Sequence, residues 1–148
     1  MPFSEPTPPV ESPFLTQIKP YYPKPRPPKS TETIEYLNIT REDGKAINDL
    51  YNKVFQQNRS LEHYMWKYWD NPAGPPTGSL ARERATGNCV ATGIAQRRRG
   101  WVNGHDTYGA LMCESATDPD LRGGGRLWGE VMNGFAVVSA DVDGIYWG

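Results

Sequence analysis

Three consecutive glycines, Gly123 to Gly125, separate the acidic stretch TDPDL from an amphipathic segment that begins at Arg126. Glycine loses more backbone freedom on folding than any other residue, so three together are costly in ordered structure. They indicate a loop whose backbone comes very close to another group. Where a strand ends and a helix begins, unpaired N–H groups and the helix dipole favour an anion. The sequence therefore predicts a phosphate or diphosphate site here, with added charge from Arg122 and Arg126.

Two familiar nucleotide motifs do not match this loop. The P-loop needs a Lys-Ser/Thr pair after its last glycine, and none follows here. The dinucleotide fingerprint needs a third glycine at the position that Trp128 occupies. A loop that is merely flexible is the remaining alternative.

The first 30 residues differ in composition from the rest of the chain, because they contain ten of its fourteen prolines. Proline fixes φ and cannot donate to a sheet, so residues 1–30 are predicted to be an extended, disordered tail. Its PxxP spacing suits either an unstructured linker or a segment that docks into an aromatic groove. Residues 31–148 are the predicted domain.

Hydrophobic periodicity predicts the elements of that domain. TIEYLNI, residues 33–39, is a strand by its alternation, and a helix over residues 41–56 follows Thr40 and Asp43, a capping-box-like pair. Ser60 begins a second helix that ends at the Asn71-Pro72 pair. Its predicted core face holds Leu61, Met65, Tyr68 and Trp69, and Trp66 either lines a site or is exposed.

A strand meander and a third helix follow. SLARERA, NCVATGIAQRRR and TYGALMCESAT are predicted antiparallel strands, with Asn103-Gly104 as a type I′ turn signal between the last two. Residues 126–139 are a helix, and GIYWG begins another strand. The triplet Arg97 to Arg99 either binds phosphate or is a solvated strand end.

Charge and composition exclude several classes of protein. The net charge of −1 provides no field that would draw the chain to nucleic acid or to an anionic membrane. No window approaches the ~18 apolar residues of a membrane span. Cys89 and Cys113 are far apart, so they predict neither a disulfide framework nor a zinc site. A cytoplasmic protein without a metal is the expectation.

The stretch DPDLRGGGRL, between a strand and a helix, resembles the acetyl-CoA-binding motif of the GNAT acyltransferase superfamily. That motif is Arg or Gln, two residues, Gly, one residue, then Gly or Ala. Arg122, Gly125 and Leu127 occupy those slots, and Leu127 departs from the small residue preferred there. The resemblance extends over the element order from residue 33 onward, including the two-helix region LYNKVF…SLEHYMWKYWDNPAGPP. It implies an α/β fold of the α+β type, in which helices flank a central mixed, mostly antiparallel sheet.

The resemblance also implies a function, which is direct acetyl transfer from acetyl-CoA to a small-molecule or peptide amine. The backbone near Ser115, Ala116 and Thr117 would pair with the pantetheine arm of coenzyme A. A backbone donor would stabilise the oxyanion. Glu114 is the carboxylate nearest the expected reaction centre, where it is either a general base or a surface or structural residue. The residues implied to hold the diphosphate are Arg122, Gly123, Gly124, Gly125, Arg126 and Leu127.

The same resemblance implies that the closing strand–helix–strand portion of the fold, with its usual tyrosine acid, is missing before Gly148. The fold is then C-terminally truncated: a fragment, a naturally shortened protein, or one completed by a partner chain or by homo-oligomer formation. Three hypotheses stay open. They are an N-acyltransferase, a catalytically silent module that binds CoA or a protein, and a proline-tailed adaptor whose glycine loop is only a turn.

Overall fold

A computed structural model describes residues 26–123, 125–138 and 144–147. Residues 1–25 of the predicted tail, and Gly124 in the glycine loop, lie outside the described residues. The strands are β1 (Ile34–Asn38), β2 (Thr77–Glu83), β3 (Cys89–Val102), β4 (His105–Thr117) and β5 (Gly144–Trp147). The helices are α1 (Gly44–Phe55), α2 (Leu61–Tyr68) and α3 (Arg126–Val138). Short 3-10 turns at Arg41–Asp43 and Pro119–Leu121 precede α1 and the glycine loop.

The strands form one five-stranded sheet in sequence order, β1 to β5. The first four are antiparallel, and β5 pairs parallel to β4 from Gly109–Gly144 to Met112–Trp147. This is the mixed, mostly antiparallel sheet that the resemblance to the GNAT superfamily implies. A crossover through α3 joins β4 to β5, because a parallel neighbour cannot be reached by a tight turn.

The helices cover both faces of this sheet. One core lies under α1 and α2, where Ile47, Leu50, Tyr64 and Tyr68 pack against the sheet. On the opposite face α3 buries Val131 and Phe135. The alternating strand pattern supplies both layers, since successive side chains of a strand point to opposite faces.

The helix starts follow their predicted local chemistry. The backbone N–H of Thr40 donates to the Asp43 carboxylate at 2.8 Å, and the Thr40 hydroxyl donates to the same oxygen at 2.9 Å. Ser60 accepts from the N–H of His63 at the start of α2. Asn103 and Gly104 both have positive φ, as a type I′ turn requires.

The predicted core face of α2 is partly wrong. Leu61 is 40% exposed, whereas Tyr64 is fully buried together with Tyr68. Two large aromatic side chains at i and i+4 bury more area against the sheet than a stripe that starts at Leu61. Trp66 is 68% exposed, so of its two predicted roles exposure is the one observed.

The described end of the proline-rich segment contacts α3. Arg26 pairs with Glu130 at 2.7 Å, and the N–H of Lys29 donates to the same carboxylate at 3.1 Å. The hydrogen bonds from Arg26, together with its charge, lower the pKa of Glu130 to about 2. Within the described ranges, no helix is long and apolar enough to cross a membrane. Cys89 is a buried free thiol and Cys113 a half-buried one.

Candidate functional site

A β-bulge interrupts β4 next to the predicted reaction centre. Ile94 of β3 pairs with Glu114, but the next residue, Ala95, pairs with Met112. Cys113 is therefore the extra residue in β4, without its own partner in β3. Such bulges free backbone groups and turn side chains, and they are frequent beside active sites.

The bulge changes which face of the sheet the side chains of β4 reach. Before it, Ala110 and Met112 pack with Phe135 on the α3 side. After it, Ala116 packs with the core under α1 and α2, and Glu114 pairs with side chains from that same layer. In a regular strand all four of these positions would share one face. The bulge thus delivers Glu114 to the α1–α2 side.

The glycine loop follows β4 and opens into a cleft of about 200 Å³. The 3-10 turn Pro119–Leu121 begins with the Asp118 side chain accepting from the N–H of Asp120, which folds the chain away from β4. The residues that line the cleft are Thr117, Leu121, Arg122, Gly123, Gly125, Leu127 and Trp128.

The first helical hydrogen bond of α3 runs from the Gly129 N–H to the Gly125 carbonyl at 2.9 Å. The earlier N–H groups, of residues 126–128, have no acceptor within a helix. Gly125 has φ +66°, a conformation that suits glycine. A side-chain carbon added at Gly123 or Gly125 would meet no atom within 4 Å. The loop therefore presents bare backbone to an open cleft, which fits an anion.

Arg122 lines this cleft, and Arg126 lies between the lining residues Gly125 and Leu127 in the sequence. The guanidinium Nε of Arg122 donates to the Thr117 carbonyl at 3.2 Å, which leaves its other N–H groups for a ligand. Arg126 is the first residue of α3 and is exposed. Both add positive charge to the positive end of the helix dipole.

A lysine of α1 forms ion pairs with two acidic residues near the cleft. Lys53 pairs with Asp118 and Asp120, each at 2.8 Å. Burial raises the pKa of Asp118, but hydrogen bonds from Lys53 and from the Asp120 N–H outweigh burial and hold that pKa below its usual value. The same pairs fix the C-terminal end of α1 beside the end of β4.

The predicted cofactor residues occupy different environments along β4 and the loop. Ser115 is exposed and accepts a hydrogen bond from the indole N–H of Trp128 at 2.7 Å. Ala116 is buried in the core, so only its backbone can contact a ligand. Thr117 lines the cleft. The structure brings Thr117, Arg122, Gly123, Gly125 and Leu127 together around one cleft, whereas the prediction for Gly124 lies outside the described residues.

A buried cluster of charges lies at the same end of β4, on its other side. Glu114 is 4% exposed in its side chain and pairs through both carboxylate oxygens with Arg59. Lys67 of α2 donates to the same carboxylate at 3.1 Å. We call Arg59, Glu114 and Lys67 the charge cluster. It connects α2 and the segment between α1 and α2 to the strand position that follows the bulge.

The backbone and side-chain polar groups of Arg59 all have hydrogen-bond partners. Its Nε donates to the side-chain oxygen of Asn48 at 2.7 Å, and its backbone N–H donates to the side-chain oxygen of Asn52 at 2.9 Å. Its carbonyl accepts from both asparagine side chains. The guanidinium carbon lies 3.7 Å from the centroid of the Tyr51 ring, within range for a cation–π contact. Arg59 thereby fixes the segment between α1 and α2 over β4.

The ionisation of Glu114 follows from this surrounding. Burial alone would raise its pKa, but the hydrogen bonds and charge of Arg59, with the charge of Lys67, hold the pKa below its usual value. A general base needs an accessible oxygen and a pKa near the working pH. The burial of Glu114 and its pairing with Arg59 and Lys67 favour a structural role over that of a general base.

A second cleft, of about 310 Å³, opens beside the charge cluster. Its lining consists of Tyr51, Gln57, Asn58, Arg59, His63 and Lys67. Sequence reasoning missed this cleft and also missed Arg59, since that arginine lies 55 residues from its carboxylate partner. The one signal available was the polar stretch QQNR between two helices, which indicates only a loop.

The described architecture is similar to solved acetyltransferases. A Trypanosoma brucei acetyltransferase matches with a TM-score of 0.59 and 13% identity, over 78% of this chain and 82% of that protein. Glucosamine-6-phosphate N-acetyltransferase from Arabidopsis thaliana matches with a TM-score of 0.57 and 13% identity, over 79% and 82%.

An aminoglycoside N-acetyltransferase, AAC(6′)-Iy, solved in complex with CoA, matches with a TM-score of 0.55 and 11% identity, over 84% of this chain and 79% of that protein. No family model and no curated protein sequence matches the chain. At such low identities the similarity concerns the fold. The chain has the fold of the GNAT N-acetyltransferases.

Proposed function

We propose that this chain is an acyl-CoA-dependent N-acyltransferase that moves an acetyl group from acetyl-CoA to an amine. The observation that carries the proposal is the position of two clefts at one end of β4. One offers the backbone at the start of α3 and the side chain of Arg122, and the other is a charged cleft beside the bulge. An anionic carrier and an acceptor bound there would meet near Cys113 and Glu114.

The chain's residues fit coenzyme A at the glycine loop. The N–H groups of residues 123–127 with Arg122 and Arg126 would hold its diphosphate, and the open space above Gly123 and Gly125 leaves room for it. The backbone of residues 115–117 would accompany the pantetheine arm. Acetyl-CoA, when bound, supplies an acetyl group activated as a thioester.

The chain itself contributes orientation. The Arg59–Glu114 pair joins the second cleft to β4, and Lys53 joins α1 to Asp118 and Asp120 beside the glycine loop. Positioning of two reactants contributes roughly 7–11 kcal/mol to a bimolecular step. Glu114 is paired with Arg59 and Lys67 and is therefore not free to act as a base. The acceptor amine would instead release its proton to water. The two free cysteines fit the reducing environment of the cytoplasm, where we place the protein.

Calorimetric titration with CoA tests the binding half of the proposal. Gly123→Glu places a carboxylate where the diphosphate should lie, and Gly123→Gln is the matched control of the same size. We expect the Glu variant to bind CoA roughly tenfold or more weakly than the Gln variant, because like charges repel at close range. Equal affinities of the two variants would overturn the site.

Thiol release from acetyl-CoA with a panel of amines tests the transfer half. Amine-dependent release by the wild type, lost in Gly123→Glu, supports the enzyme. CoA binding without release from any amine identifies the silent binding module instead. Absence of CoA binding by the wild type leaves the adaptor hypothesis.

A further inference from the structure

The second cleft has a charge imbalance that bears on its occupant. Arg59 and Lys67 carry two positive charges, and the one carboxylate that pairs with them is Glu114. Among the six described lining residues none is acidic. We infer that this cleft takes an amine that also carries a compact anionic group, with Lys67 as its counter-ion. The role of this cleft as an acceptor site rests on the proposed function.

Lys67 is the cation that a ligand can reach. Its side chain is 28% exposed, against 8% for Arg59. Lysine has three N–H donors, and the contact with Glu114 uses one of them. Arg59, in contrast, directs its guanidinium to Asn48 and Glu114. A ligand anion would therefore pair with Lys67 while Arg59 stays in its structural contacts.

The rest of the lining suits a small polar ligand. The side chains of Gln57 and Asn58 bring amide donors and acceptors to the rim, and Tyr51 supplies an aromatic wall behind Arg59. The volume of about 310 Å³ lies at the low end for small-molecule sites. An amine without an anionic group would enter as a cation, and the surplus positive charge opposes that.

Paired small amines test this inference, with backbone amide NMR shifts of residues 57–67 as the readout. Phosphoethanolamine against ethanolamine measures the effect of a phosphate, and glycine against glycinamide measures that of a carboxylate. We expect the anionic member of at least one pair to bind roughly tenfold more tightly. Which pair shows the larger ratio identifies the anion.

Lys67→Met should remove this preference and leave the affinity for CoA unchanged. Lys45→Met is the matched control, because it removes the same charge from a side chain that is 76% exposed on α1. Equal binding within both pairs, or a preference that persists in Lys67→Met, would overturn the inference. If the protein prefers anionic amines but does not bind CoA, the ligand inferred for this cleft is supported and the proposed acyltransferase function is refuted.

Discussion

The two clefts at the end of β4 are built in opposite ways. The glycine loop is a local structure, made by residues 117–128 with bare backbone open to solvent. The charge cluster is a long-range structure, in which residues 59, 67 and 114 meet with two of the three side chains at least nine-tenths buried. In the first, the glycines leave backbone exposed to the cleft. The other depends on side chains that stabilise each other.

The difference determines how each region responds to change. The charge cluster is part of the fold, since it connects α1, α2 and β4, so its loss should destabilise the protein. The glycine loop carries little of the packing, and its loss should affect ligand binding more than stability. Four predictions on the free energy of unfolding, from the largest effect to the smallest, test this contrast.

Arg59→Met should have the largest effect. It leaves Glu114 buried with Lys67 as its remaining partner, and breaking a buried ion pair costs ~3–5 kcal/mol. Urea unfolding measures the change. The double variant Arg59→Met with Glu114→Leu removes the uncompensated charge and should recover part of the loss; no recovery would mean that Arg59 acts through its asparagine contacts alone.

Acid should destabilise the protein through Glu114. Its pKa in the folded state lies below the usual value, so its pairing stabilises fully above the unfolded pKa of about 4.3 and is lost as pH falls through the folded pKa. Unfolding of the wild type and of Glu114→Gln, compared from pH 7 downwards, isolates this contribution from that of Glu130. The gap between the two proteins should narrow as the pH falls; a constant gap would contradict the pairing.

Gly125→Ala should cost roughly 1–2 kcal/mol, because alanine resists the positive φ that this position adopts. Gly123→Ala is the matched control, since nothing within 4 Å opposes its side chain. Thermal unfolding should separate the two variants. If both were equally stable, the loop conformation around Gly125 would be wrong.

Lys45→Gln should have the smallest effect. Lys45 pairs with Asp49 at 2.6 Å, but both side chains are largely exposed. Such i,i+4 pairs contribute about 0.3–0.5 kcal/mol. A loss comparable with that of Arg59→Met in the same urea assay would show that burial does not govern the charges of this protein.

Much of the fold could be predicted from the sequence, because its signals are local. The alternation of β1, the Ser60 cap and the Asn103-Gly104 turn each lie within a few residues of the element they specify. The glycine loop is recognisable for the same reason.

The second cleft could not be predicted, because its parts come together only through the tertiary structure. The bulge at Cys113 sets the face on which Glu114 lies, and nothing in the sequence MCES, residues 112–115, indicates a bulge. Arg59 stands in a polar stretch that resembles many loops. Its partners become evident only when α1, α2 and β4 are packed together.

Backbone amide NMR of the full chain during titration with CoA locates the bound diphosphate. We expect the largest shift changes at residues 115–117 and 122–128, with smaller ones around Arg59. Saturable binding with no shift changes in residues 122–128 would contradict this expectation, because the diphosphate would then lie away from the glycine loop.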